Sequence, residues 1–308
     1  MAKPEILYIT HSTIFLCKDS KTVPIPVPWN GRDSIEAFKM IKGKTHSSFF
    51  RVILGNDFSY AFSLKMPAAS KKEEIIAKAG EFVPEEVTEK NISYSLLNKE
   101  YISVFSAPKI LLEEVGKSAK VVNFQIEYFC PIESALSGAV EKGATPKMIL
   151  YSGIEKLAVA VSENLILESE DIKTDPDKKI RELKDFISSQ QGFEIKEAVS
   201  NFKKGEIKLP QSIAEKNLEI DPINFVDSHA LSDKDDGFLA IKLQSKDETK
   251  KIKEETPPNS EAKATESDMP KTDDLGLPEE KKPSIIVPII LIIVILGAVG
   301  FILLKMFK

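Results

Sequence analysis

The sequence predicts an α/β protein of two related lobes, followed by a polar linker and one C-terminal membrane-spanning helix. Three observations predict it. The order strand–strand–strand–helix–strand occurs twice in the first 244 residues. Residues 245–283 contain no aromatic residue and five prolines. Ile285 to Leu304 reads IIVPIILIIVILGAVGFILL, without a charge.

The first repeat opens on Ile6–Ile9 and Thr13–Cys17, two apolar runs joined by a tight turn. Val23–Val27 reads as a third strand, and Pro24, Pro26 and Pro28 confine it to an edge or an irregular segment. Asp33, with Glu36 three residues on, predicts a capped helix with Ile35, Phe38 and Ile41 as its apolar stripe. Gly43 ends it, and Phe49–Leu54 is the next strand.

The second repeat follows the same order. Met148–Tyr151, Leu157–Val161 and Leu165–Glu170 read as strands, the last two joined at Ser162-Glu163-Asn164. Asp175-Pro176 starts a helix whose stripe is Ile180, Leu183 and Ile187, and Gly192 stops it. Phe193–Val199 reads as the closing strand. Two such units predict a cleft between lobes.

The stretch between the repeats predicts a small inserted subdomain. Ser59–Lys65 alternates Tyr60, Phe62 and Leu64 as a half-buried strand does. Ser70 with Glu73 reads as a capping box for a helix ending before Pro84. Ile92–Leu97 and Tyr101–Phe105 read as a hairpin across Asn98-Lys99-Glu100, and Pro108 and Pro131 each stand at a helix start.

The domain plan is therefore a head over 1–244, a disordered charged linker over 245–283, a membrane helix over 285–304 and a short tail, 305–308. The span has 20 uncharged residues, about 30 Å of helix, which matches the hydrocarbon core of a bilayer. As a flexible coil, the linker of 39 residues reaches about 35 Å. Lys281 and Lys282 before the span balance Lys305 and Lys308 after it, so flanking charge does not orient it. Thr10, His11, Ser12 and Thr13 interrupt the first apolar run, so an export signal is not expected there and the head is expected in the cytosol. Cys17 and Cys130 suit a reducing compartment.

A net charge of −5, with no basic stripe, argues against nucleic acid. The three histidines, His11, His46 and His229, lie far apart, and no metal-ligand spacing includes them. Asp233-Lys234-Asp235-Asp236-Gly237 has its glycine one position early for a calcium loop and lacks the closing Glu. Cys130 ahead of Pro131 stands where a helix dipole can activate a thiol, although an inert buried Cys is the commoner case.

Several segments carry a family resemblance: ILYITHSTIFL, RVILGNDFSYAFSLKMP with KKEEIIAKAGEFVPE, and MILYSGIEKLAVAVSENLILESEDI with IRELKDFISSQQGFEIKEAVSN. Over residues 5–243 their order resembles the actin-like family of the type IV pilus assembly protein PilM, its division relative FtsA and the cytoplasmic head of the secretion protein GspL. The resemblance implies a two-lobed actin-like head with a duplicated βββαβ core. It also places a phosphate loop in the first turn of each lobe. In this chain those positions are Ser12 and Thr13, and Ser152 and Gly153.

The phosphate loops depart from the family pattern. The first turn, Ile9-Thr10-His11-Ser12-Thr13, has neither Asp nor Gly. The second, Tyr151-Ser152-Gly153-Ile154-Glu155, keeps a glycine but has Tyr where the acid is expected. Val199-Ser200-Asn201-Phe202 replaces the paired glycines of the adenosine region. These departures predict a scaffold without catalytic residues or a required cofactor, ATP being the nucleotide in question. The resemblance implies partners: the short cytoplasmic tails of inner-membrane pilus or secretion proteins, and the assembly ATPase. It places the chain in the inner, cytoplasmic membrane as a single-pass protein. The alternatives are an actin-fold ATPase or kinase with atypical loops, and a tail-anchored adaptor unrelated to pili. Self-association stays open.

Overall fold

The computed structural model describes residues 3–19, 21–29, 34–96, 99–141, 143, 145–163, 165–231 and 236–243, all within one unit of the chain. Among these no helix is long and apolar enough to cross a membrane. The predicted linker, span and tail lie outside the described residues, as does Asp33.

Lobe 1 is a five-stranded sheet in the order β3-β2-β1-β4-β8. Its strands are β1 (Glu5–Ile9), β2 (Thr13–Cys17), β3 (Ile25–Pro28), β4 (Phe49–Leu54) and β8 (Gln125–Pro131). The first three are antiparallel, and β4 and β8 run parallel to β1. Lobe 2 repeats this order as β11-β10-β9-β12-β13. Its strands are β9 (Lys147–Ser152), β10 (Lys156–Ser162), β11 (Leu165–Asp171), β12 (Glu197–Ser200) and β13 (Ala214–Asn217). The duplicated α/β head is therefore present, but each repeat carries a fifth strand that the sequence reading lacks. For β8 only its last residue, Pro131, stood out, as the start of a helix. All four residues of β13 are exposed, so it has no apolar alternation to reveal it.

Other boundaries shift for local reasons. The third strand starts at Ile25 rather than Val23, because its register sets Ile25 opposite Leu16 and Pro28 opposite Thr13. Val23 stays in solvent. The last strand of the second repeat begins at Glu197. Before it, Phe193 packs on the Tyr101 ring at 5.3 Å and Ile195 is buried in the lobe 2 core, outside any ladder.

Helices α1 (Ser34–Lys42), α3 (Lys109–Val121) and α4 (Ile132–Ala139) belong to lobe 1 and α5 (Pro176–Phe186) to lobe 2, while α6 (Pro222–Ser228) crosses back to pack on α4 and β1 of lobe 1. Phe38 and Ile41 bury the α1 stripe. Pro108 and Pro131 precede α3 and α4 as their N-caps. Asp175 adopts a left-handed conformation, φ 50°, ahead of Pro176 at the first position of α5. A π turn, Ile187–Gln191, extends α5, and Gly192 ends it at φ 74°.

Between β4 and β8 is the predicted subdomain. Its strands β5 (Tyr60–Lys65), β6 (Ile92–Ser95) and β7 (Tyr101–Ser106) form an antiparallel sheet ordered β5-β7-β6. Helix α2 (Lys72–Ala79) packs on it around Leu64, Ile75, Ile102 and Val104. The capping box lies one residue later than predicted: the Lys71 backbone N–H donates to the Glu74 side chain at 3.1 Å. The hydroxyls of Ser63 and Ser103 tie the subdomain to the β11 edge. Ser63 donates to the Ile166 carbonyl at 2.5 Å, and Ser103 accepts from the Ile166 N–H at 2.9 Å.

Period-two alternation on β9 and β10 divides their side chains between two cores. Ile149, Tyr151, Leu157 and Val159 join the core of lobe 1. Met148, Leu150, Ala158 and Ala160 face the α5 stripe of Ile180, Leu183 and Ile187. The lobes thus share a hydrophobic core rather than merely facing one another. After α6 the chain continues along lobe 1 as a strap. Ile241 pairs antiparallel with Phe129 of β8 through bonds of 2.9 and 2.8 Å. Leu239 N–H donates to Ser134 at 2.9 Å, and Ala240 N–H to Ser93 of the subdomain at 3.2 Å.

Candidate functional site

Three segments meet where the lobes join: the β1–β2 turn, the β9–β10 turn and the end of β4. In the first turn, Thr10 N–H donates to Thr13 O at 2.9 Å. Trp29 spans the turn. Its backbone N–H donates to Ser12 O at 3.0 Å and its Nε1–H to Thr10 O at 2.7 Å. Ser12 is exposed, with its hydroxyl 3.4 Å from that of Thr13. His11 is also exposed and lies 6.1 Å from the Phe58 ring.

The second turn is closed by the protein's own groups. Ser152 N–H donates to Asn201 Oδ1 at 2.7 Å, and Asn201 Nδ2 donates to Ser152 O at 3.2 Å. Gly153 N–H donates to Glu155 O at 2.9 Å. A Cβ at Gly153 would lie 2.1 Å from the Tyr151 hydroxyl, so the glycine makes room for the ring beside it. A phosphate cradle works through free backbone N–H groups. Here Ser152 and Gly153 have both committed theirs.

A carboxylate stands between the turns. Glu155 is 2% exposed. Its Oε2 accepts from the Tyr8 hydroxyl at 2.5 Å and from Asn56 N–H at 3.3 Å. A Cβ at Gly55 would come within 2.7 Å of that oxygen, so Gly55 lets the acid approach β4. Burial raises the Glu155 pKa, against the opposing pull of the Tyr8 and Asn56 bonds. Burial, and the nearby acid, hold the Tyr8 phenol well above its usual value.

A second buried acid lies close by. Glu133, in the first turn of α4, accepts from Ser59 at 3.2 Å and from Ser169 of β11 at 3.0 Å. Burial pushes its pKa up to about 7, despite these bonds. Thus each acid bridges lobe 1 and lobe 2, and the floor of the expected cleft is occupied by protein.

The structure brings Ser152 and Gly153 to the lobe junction and leaves Ser12 at its outer rim. Sequence reading missed Tyr8, Glu133 and Glu155. The signal for Glu155 was an acid closing a turn between apolar strands; Tyr8 and Glu133 sit inside apolar runs that read as core. Cys130 is buried, and burial drives its thiol pKa upward, which leaves it a poor nucleophile. Among the described residues no group of three or more His, Cys, Asp or Glu is placed to hold a metal ion.

Between the subdomain and lobe 1 lies an open groove of about 790 Å³, from β5 to the start of α3. Phe58, Tyr60 and Ile110 give it an apolar lining, and Ile110 is 78% exposed. Asp57, Glu85, Glu86, Glu113 and Glu114 surround them, against Lys109 alone.

No family model matches the sequence, and no curated protein does. Among solved structures, the chain is similar to the cytoplasmic domain of EpsL, an inner-membrane component of the type II secretion system of Vibrio cholerae. The identity is 11% over 72% of this chain and 92% of that one, with a TM-score of 0.49. It is similar to the PilM–PilN type IV pilus biogenesis complex at 10% identity, over 70% of this chain and 91% of that one, with a TM-score of 0.48. An actin-like ATPase-fold protein of Bacteroides thetaiotaomicron follows at 10% identity, covering 66% and 83%, with a TM-score of 0.38. These are the classes of protein that the sequence segments resemble.

Proposed function

We propose that this protein is a scaffold of an inner-membrane pilus- or secretion-type assembly machine, acting through peptide docking rather than nucleotide turnover. The setting comes from the segment resemblance, and the uncharged stretch 285–304 supplies the anchor in this reading. The chemistry rests on the groove beside Ile110. Five carboxylates around an apolar lining suit a basic, partly apolar segment, such as the short cytoplasmic tail of a membrane partner. The closed second turn supports nucleotide independence: the N–H groups of Ser152 and Gly153 are engaged, and Glu155 would repel a phosphate at the junction.

The test is crosslinking and co-purification of the full-length protein from its native membranes, with and without Ile110→Asp. The reading expects membrane partners with basic cytoplasmic tails, lost from the variant. Recovery of no such partner, or an unchanged set in the variant, would sink it. Magnesium-ATP titration examines the second half of the proposal; tight binding that falls on changing Ser152 and Gly153 would overturn it.

A further inference from the structure

A second cavity, about 380 Å³, opens between the subdomain and lobe 2. That volume lies within the range of about 300–1,000 Å³ typical of ligand pockets. Phe62 and Phe82 line it from the subdomain, and Phe186 from the end of α5. Phe82 is 60% exposed and Phe186 44%. Two large aromatic side chains from separate elements are thus left facing water across one cavity, a pattern of recognition surfaces.

The polar lining is rich in acceptors. Glu168 is half-buried, and its Oε1 accepts from Ser169 N–H at 3.1 Å. Among the described residues no cation pairs with it, while its neighbour Glu170 pairs with Lys179 at 2.8 Å. Burial, with Glu170 adding to it, raises the Glu168 pKa, as expected for an uncompensated carboxylate. Gln191 spends its Nε2 on the Leu167 carbonyl at 3.2 Å. Its Oε1 is buried and has no donor among the described residues.

Local backbone structure builds this arrangement. The π turn Ile187–Gln191 separates Phe186 from Gln191, and both side chains line the cavity. Such turns insert one residue into a helix and occur often at functional sites. The Tyr101 hydroxyl holds the end of the turn, donating to Gln191 O at 3.1 Å.

An unpaired carboxylate and aromatic walls match one kind of group well. It must carry a delocalised charge, several donors and a weakly hydrated face. A guanidinium has all three, stacking on aromatic rings while its edge donates to oxygens. We infer that this cavity binds an arginine side chain of a partner peptide, with Glu168 accepting from the guanidinium beside Gln191 and with Phe82 and Phe186 covering the flanking apolar residues. The exposed rings favour a peptide over a free cation, because a small cation would leave them in water. The inference does not depend on the acid-rimmed groove at Ile110.

The experiment titrates full-length protein in detergent micelles with blocked leucyl-arginyl-leucine and with its citrulline counterpart. The readout is the NMR shift of the Gln191 side-chain amide. The expected result is saturable binding, weaker by about tenfold or more for citrulline, the scale of one charge-assisted contact. Glu168→Gln should remove that difference, lowering arginine affinity while leaving citrulline affinity unchanged. Glu168 is half-buried at a cavity wall, so this variant is expected to fold; Phe186→Ala offers a second, exposed position and should weaken both peptides. Glu113→Gln with Glu114→Gln, in the other groove, should change neither. Absence of a saturable shift, equal binding of the two peptides, or insensitivity to Glu168→Gln would overturn the proposal. Ethylguanidinium binding as tightly as the arginine peptide would overturn the peptide assignment.

Discussion

Tyr8 of lobe 1 donates its hydroxyl to Glu155 of lobe 2 at 2.5 Å, inside the shared core. The bond joins the centre of one sheet to the first hairpin of the other. Tyr8→Phe removes the donor and leaves Asn56 N–H on the carboxylate. We expect a loss of about 1–3 kcal/mol in denaturant unfolding, the usual cost of a buried group deprived of a partner. Because the Tyr8 bond opposes the raised Glu155 pKa, losing it raises that pKa further. The destabilisation should therefore be greater at pH 8 than at pH 5.

Glu133 gives the head a pH dependence of predictable sign. Its folded pKa is about 7, above the ordinary value of 4.5. A raised carboxyl binds its proton more tightly in the folded state, so its contribution is most favourable below pH 4.5 and is lost as pH rises through 7. The full loss is on the order of 3 kcal/mol. Glu133→Gln should make the stability profile shallower between pH 5 and pH 8, seen as a Tm that falls less over that interval. A variant profile as steep as the parent's would show that Glu133 does not control this dependence.

The two thiols should be silent in the folded protein. Cys17 and Cys130 are both buried, and burial raises the Cys17 pKa to about 12. Thiol titration with a chromogenic disulfide at pH 8 should detect neither until denaturant is added. Fast labelling of Cys130 under native conditions would contradict its placement under α4.

Gly138 is a close-packing position between α4 and α6. A Cβ there would lie 2.1 Å from the Phe225 ring. Gly138→Ala must displace that ring, at a cost of about 1–3 kcal/mol for overpacking. Thermal unfolding measures it. An unchanged Tm would mean that α6 sits farther from α4 than described.

Much of this architecture was legible because its elements announce themselves locally. Pro176 and Gly192 bracket one helix with its π turn, and Ile180, Leu183 and Ile187 fall on one face as their spacing demands. Alternation gave β5 and the hairpin of β6 and β7. What stayed hidden is non-local. The polar β13 follows from its pairing with β12. The lobe junction depends on Tyr8, Glu133 and Glu155, which are distant in sequence and meet only after both sheets form. Ser12, Thr13, Ser152 and Gly153 were placed by the family resemblance, but that Asn201 holds the Ser152 N–H and that Trp29 holds the carbonyls of Thr10 and Ser12 could be learned only from their meeting in space.

The strap formed by Leu239, Ala240 and Ile241 has a practical consequence for anyone shortening this chain. Ile241 covers the outer ladder of β8, the edge of the lobe 1 sheet. A fragment cut before Leu239 would bare that ladder to solvent, and bare edges recruit strands from other molecules. Aggregation or strand-exchanged dimers of such a fragment would then reflect the cut rather than the biology, and the safe boundary for a shortened head lies beyond Leu243.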